Sequence, residues 1–163
     1  MIIVRSVAAA ALVAAIAFLS LTGCTAEMRS FVSSQVHAAF DPPLDAIPQP
    51  RIVSGGTTVA AKQSTYCWGN RGCADYAGGY AMAASAPAAV VHAGAIIAIS
   101  FDAQPAPAHM DAAQYFESGA AAVLPLNGGR FQAPSKPGLY YYGISAYWSS
   151  GGDTSAVFAI RVV

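Results

Sequence analysis

Residues 138–148 read GLYYYGISAYW, the clearest secondary-structure signal in the chain. Counted in twos, Tyr140, Tyr142, Ile144, Ala146 and Trp148 fall on one side, and Leu139, Tyr141, Gly143, Ser145 and Tyr147 on the other. Successive side chains of a strand point to opposite faces, so the first set reads as the core face of a β-strand. Residues 149–153, SSGGD, are turn formers. The chain then runs on as TSAVFAIRVV, residues 154–163, with Ala156, Phe158, Ile160 and Val162 on one face and Ser155 and Arg161 on the other. Two such strands across a glycine turn read as a hairpin, or as consecutive strands across a sandwich edge.

Working outward, residues 94–101, GAIIAISF, give a third strand, with Ile97, Ile99 and Phe101 on one face. Weaker strand signals lie at 51–53, 58–62, 65–68, 89–92, 112–116, 121–126 and 130–132. Many short strands punctuated by Gly, Pro, Asn and Asp predict an all-β, two-sheet sandwich over residues 51–163. Its core is expected between the Tyr140–Trp148, Ala156–Val162 and Ile97–Phe101 faces. Alanine is frequent at 81–84 and 120–122, which by propensity favours helix. Gly78, Gly79, Pro87, Gly94 and Gly119 interrupt those windows, so no helix is expected in the domain.

The amino-terminal segment sets the compartment. Residues 7–19 are all apolar and Arg5 is the only charge before them, the length and polarity of a signal-peptide core rather than of a bilayer span. The run ends in Leu21-Thr22-Gly23-Cys24, which resembles the lipobox of bacterial lipoproteins. On this reading residues 1–23 are a signal peptide, and Cys24 becomes the lipidated first residue, anchoring the chain at the extracytoplasmic face of the cell envelope. An ordinary secretory signal, or an uncleaved anchor, would export the remainder equally. Residues 24–50 then read as a tether, with four prolines in DPPLDAIPQP (41–50) and a short amphipathic helix an alternative for part of 27–40.

With Cys24 occupied by lipid, two thiols remain, in STYCWGNRGCADY (64–76). An even pair at short range in an oxidising compartment predicts a disulfide, Cys67–Cys73. Gly69, Asn70 and Gly72 supply the tight reversal between them. A redox centre would call for Cys-x-x-Cys spacing. A metal site would need further ligands from His92, His109, Asp75 or Asp102, whose spacing fits no ligand pattern. Trp68 is expected to pack at the base of this loop and Arg71 to sit at its tip.

Charge and motifs exclude several functions. Of eight Lys and Arg in the chain one, Arg5, is in the signal segment, leaving seven against eight Asp and Glu, scattered along the sequence. There is no basic stripe to neutralise phosphates, so nucleic acid is not an expected partner. No serine sits in a Gly-x-Ser-x-Gly elbow, and no carboxylates pair at a catalytic spacing, so no catalytic residue is assigned and no cofactor is implied. His92 and His109 are more commonly locally satisfied than catalytic, and Asp75 and Asp102 more commonly cap turns. Aromatics are the most informative polar-apolar feature: Trp68 with Arg71 near the disulfide, and Tyr141 and Tyr147 on the outer face of the strong strand. These four are the candidate binding surface, for an envelope protein or a glycan. The competing role is cross-strand packing, or burial beneath a loop.

Thr65-Tyr66-Cys67-Trp68, the second cysteine Cys73 with Asp75, the strand at 94–101, PGLYYYGISAYW (137–148) and AVFAIRVV (156–163) together resemble small bacterial lipoproteins that carry a Tyr-Cys-Trp…Cys segment. The resemblance implies an immunoglobulin-like sandwich. That family has no activity to carry over, so the expectation is a non-enzymatic binding or scaffolding lipoprotein. An envelope hydrolase, or a protease inhibitor acting through the turns at 69–72 and 149–153, is the alternative.

Overall fold

The computed structural model describes residues 46–76 and 78–163. The signal segment, Cys24 and the tether as far as Asp45 therefore lie outside the described residues. In chain order the elements are β1 (Pro50–Ser54), β2 (Thr57–Val59), β3 (Ala61–Cys67), a 3-10 turn (Gly69–Arg71), β4 (Cys73–Ala74), α1 (Gly79–Ala84), β5 (Ala88–Val91), β6 (Ile96–Phe101), β7 (His109–Tyr115), β8 (Ala121–Val123), β9 (Arg130–Gln132), β10 (Gly138–Tyr147) and β11 (Asp153–Val162). Ala46–Gln49 run up to β1, with Pro48 buried and Ile47 packed on the core.

The strands form two sheets packed as a sandwich. The first has the order β2-β1-β6-β9; the second has β4-β3-β11-β10-β7-β8, with β5 also beside β11. β10 and β11 pair over their whole length, from Gly138↔Val162 to Tyr147↔Asp153, so the pair is a hairpin. Strand β11 is long enough to take two partners on its other edge: antiparallel β3 along its first half and parallel β5 along Ala159–Val162. A register shift between Thr154 and Ala156 marks a bulge against β3. The Gln63 amide spans it, donating to Thr154 Oγ1 and to the Ser155 carbonyl, each at 2.9 Å, which satisfies a threonine that is otherwise buried.

The core lies between the sheets, as the alternation predicts. Ile52, Ile97, Ile99 and Phe131 come from the first sheet, and Tyr142, Ile144, Phe158 and Ile160 from the second. Phe131 meets Tyr142 across the interface with ring centroids 5.1 Å apart. Each such side chain removed from water contributes about 1.5–3 kcal/mol, which is why the alternating pattern is so strongly held.

Three sequence expectations change. Residues 58–62, read as one strand, divide at Ala60, where the chain leaves the first sheet as β2 and joins the second as β3. Residues 121–126 likewise keep only β8 as strand, because 124–127 cross back to the first sheet. A helix, α1, forms where none was expected. Its first residue is Gly79, where a Cβ would lie 2.7 Å from Cζ of Tyr115, and Gly78 precedes it in the left-handed region with φ 79°. The glycines read as breakers start the helix and let it approach the sheet.

Candidate binding face and loop end

Helix α1 divides the outer face of the second sheet into a covered and an open half. On β10 that face carries Tyr141, Gly143, Ser145 and Tyr147; opposite them on β7 stand Tyr115, Ala113, Asp111 and His109, and on β11 Ala159, Val157, Ser155 and Asp153. Val157 and Ala159 are each only 1 % exposed although they point away from the sandwich core, because α1 packs over them. Ser64 Oγ to Met82 Sδ (3.8 Å) and Lys62 Nζ to Ser85 Oγ (3.2 Å) tie the helix and its end to β3.

The covered half holds Tyr141. Its ring meets Tyr80 of α1 edge-on, with centroids 5.0 Å apart, and it is only part-exposed. Tyr115 lies across Gly143, where a Cβ would sit 2.7 Å from ring carbons Cε2 and Cζ. A glycine in mid-strand is thus the seat of an aromatic ring. Burial, followed by the neighbouring Glu117 carboxylate and Tyr141, raises the pKa of Tyr80.

The open half is polar. Tyr147 is 43 % exposed and stacks on His109 with centroids 6.0 Å apart and 25° between planes. His109 Nε2 lies 2.9 Å from Asp111 Oδ1, two residues along the same strand face. Ser145 and Ser155, cross-strand partners, share a 2.8 Å hydroxyl–hydroxyl hydrogen bond. An exposed ring pair flanked by one carboxylate and two hydroxyls offers a flat apolar surface with hydrogen-bonding groups beside it.

One transverse row links this half to the cysteines. His109 pairs with Tyr147, Tyr147 with Asp153, Asp153 with Cys67 and Cys67 with Cys73. The disulfide Cys67–Cys73 closes the β3–β4 hairpin directly across its last pair, with Cα atoms 4.0 Å apart. Above the row, two loops share one construction. Trp68 N–H donates to the Gly72 carbonyl (2.9 Å) and Arg71 N–H to the Trp68 carbonyl (2.8 Å); Trp148 N–H donates to Gly152 (3.0 Å) and Gly151 N–H to Trp148 (3.1 Å). The two tryptophans that open these loops meet edge-to-face at 4.9 Å, and Trp148 Nε1 donates to the Pro105 carbonyl at 2.8 Å. Gly152 has φ 109°, and a Cβ there would lie 2.8 Å from Trp68 Cε3, so glycine is needed for both backbone and packing.

The structure therefore separates the four residues chosen from sequence. Arg71 is exposed at its loop tip and Tyr147 is exposed just below the loop end. Trp68 is 7 % exposed and belongs to the core, because its ring is what seals the two loops together. Tyr141 lies six residues from Tyr147 along β10, about 20 Å at the rise of a strand, and is half covered by Tyr80, so the two tyrosines do not share a patch. Asp111, Ser145 and Ser155 were not chosen from the sequence. The alternation His109-x-Asp111 is a local signal for Asp111, at the start of a strand that the sequence shows only from residue 112. Of the metal-ligand candidates, both cysteines are oxidised, and the two histidines lie toward opposite ends of the second sheet: His92 just beyond β5, which ends against Val162, and His109 across from Tyr147, the partner of Asp153. Among the described residues no three His, Cys, Asp or Glu side chains converge as a metal cage, and no helix is long and apolar enough to cross a membrane.

At the β9 edge of the first sheet lies an open groove of about 620 Å³, between Ile96, Phe131 and Leu124, Pro125 and Asn127. No protein-family model matches this chain, and no curated protein or solved structure matches it either.

Proposed function

We propose that this chain is a lipoprotein of the bacterial cell envelope, anchored through lipid on Cys24, with an immunoglobulin-like sandwich that binds a glycan without catalysing a reaction. The lipobox-like segment at 21–24 supports the anchor, and the formed Cys67–Cys73 disulfide fits an oxidising, extracytoplasmic compartment. The observation that carries the binding reading is the exposed Tyr147–His109 stack with Asp111 beside it, on the half of the sheet that α1 leaves bare. A sugar ring presents C–H groups to an aromatic face and hydroxyls at its rim; Asp111, Ser145 and Ser155 are placed to meet the hydroxyls. The disulfide and the Trp68–Trp148 contact tie the two loops at this end of the sheet together, and such cross-links lower the ordering cost of binding.

The test is co-sedimentation of the protein with peptidoglycan sacculi. Tyr147→Ala and Asp111→Asn should each weaken retention about tenfold, the loss of one stacking contact or one charged hydrogen bond. Arg161→Gln, at the opposite end of β11, should bind as the parent does. Equal retention of all variants, or no retention of the parent, overturns the glycan reading.

A further inference from the structure

The first sheet differs from the second in charge. Its four strands contain two charged residues, Arg51 and Arg130, and no acid; the strands of the second sheet carry Asp111 and Asp153 as well as bases. Both arginines are exposed, and both lie on the outer face. Ile52, Ile97, Ile99 and Phe131 point into the core, which leaves Arg51, Val53, Ile96, Ala98 and Arg130 pointing out, with Ser100 opposite Arg51 and Ala98 opposite Arg130. Asp102 directly follows β6 at the loop end, and Asp45 precedes Arg51 by six residues in the sequence. Apolar groups border Arg130: Ile96, 53 % exposed, lines the groove beside β9 with it, together with Leu124 and Pro125. A basic face with an apolar rim matches the interfacial layer of an anionic bilayer, which attracts cations and accommodates short apolar side chains.

The place where the chain joins the domain points the same way. Pro48 is buried, Pro50 opens β1, and Arg51 follows at once, so the segment leading back toward Cys24 attaches at the edge of this face. Even fully extended, the residues between Cys24 and Ala46 reach no more than about 75 Å. A surface held that close to lipid needs only weak attraction to dock, because the second contact is intramolecular.

We propose that the outer face of the first sheet rests on anionic lipid headgroups, with Arg51 and Arg130 as its charged contacts and Ile96 and Pro125 as its apolar rim. The open half of the second sheet, on the opposite side of the sandwich, is then turned away from the bilayer toward the envelope space. This orientation rests on the anchored reading above and adds to it which face meets lipid.

The test places the chain from residue 24 on bilayer nanodiscs in two forms: lipidated as isolated from membranes, and held through an N-terminal histidine tag on a chelating lipid. The tagged form reads docking whether or not Cys24 is lipidated, while the mass of the isolated form reads lipidation alone. With spin-labelled headgroups, amide signals of Arg51, Ala98 and Arg130 should broaden on phosphatidylglycerol discs, while those of Ser145 and Tyr147 stay sharp. Phosphatidylcholine discs or added salt should reverse the effect. Arg51→Gln and Arg130→Gln should each lower the docked-to-free ratio about fivefold, and Arg161→Gln should not. Broadening that is equal on both lipids, or that centres on Tyr147, overturns the proposal.

Discussion

Gly143 shows how a single missing side chain organises this molecule. The ring of Tyr115 lies where a Cβ would be, so Gly143→Ala must push that ring off the sheet and loosen the Tyr80–Tyr141–Tyr115 cluster with it. Because the ring is also held against Gly79 of α1, the expected loss is that of overpacking, about 1–3 kcal/mol in urea denaturation. In the Tyr115→Ala background the same substitution should cost much less, a coupling that a double-mutant cycle measures directly. Tyr142 makes a different residue-scale prediction. Burial, with the neighbouring Tyr140, raises its phenol pKa well above the ordinary value of about 10. The folded state therefore keeps the proton after the unfolded chain has begun to lose it. Stability from this group is fully present below about pH 10 and falls as pH rises beyond it, by about 1.4 kcal/mol per pH unit. Tyr142→Phe should remove this alkaline component from the pH profile of unfolding.

Among elements, the strands β10 and β11 were legible, since period-two alternation and a glycine turn are both local signals; that they pair as a hairpin, rather than crossing a sandwich edge, is settled by their register. Phe158, 0 % exposed at its centre, should cost about 3–5 kcal/mol as Phe158→Ala, read from the denaturation midpoint. The β3–β4 hairpin was legible through its cysteines. Its loop is small, so Cys67→Ser with Cys73→Ser should lower stability by only about 2 kcal/mol and leave the sandwich folded by circular dichroism. Helix α1 was not legible. Six residues make less than two turns, too short for a helical period to stand out, and its support is tertiary: the sheet face beneath it and the Tyr115 ring against Gly79. The parallel β5–β11 pairing was equally hidden, because β5 contributes only four residues and its partner lies some seventy residues on.

At the scale of the whole molecule, the sandwich could be read because most of its strands bury one face, and that constraint is written into alternation. The candidate site could be read only in part. Tyr147 and Arg71 were found as exposed residues near a strong strand and a tight loop. Their neighbours Asp111, Ser145 and Ser155 come together through pairings of β7, β10 and β11 that no local pattern reports, and Trp68 was drawn inward by a second tryptophan eighty residues away. With its two faces so different, the domain fits a role in which one side is fixed near lipid and the other is presented. That account depends first on the chain being exported and anchored. Intact mass of the protein isolated from its membranes measures this most directly. The prediction is a chain beginning at Cys24, heavier by a diacylglyceryl group, and two hydrogens lighter than its reduced form. An unprocessed chain carrying three free thiols would contradict it.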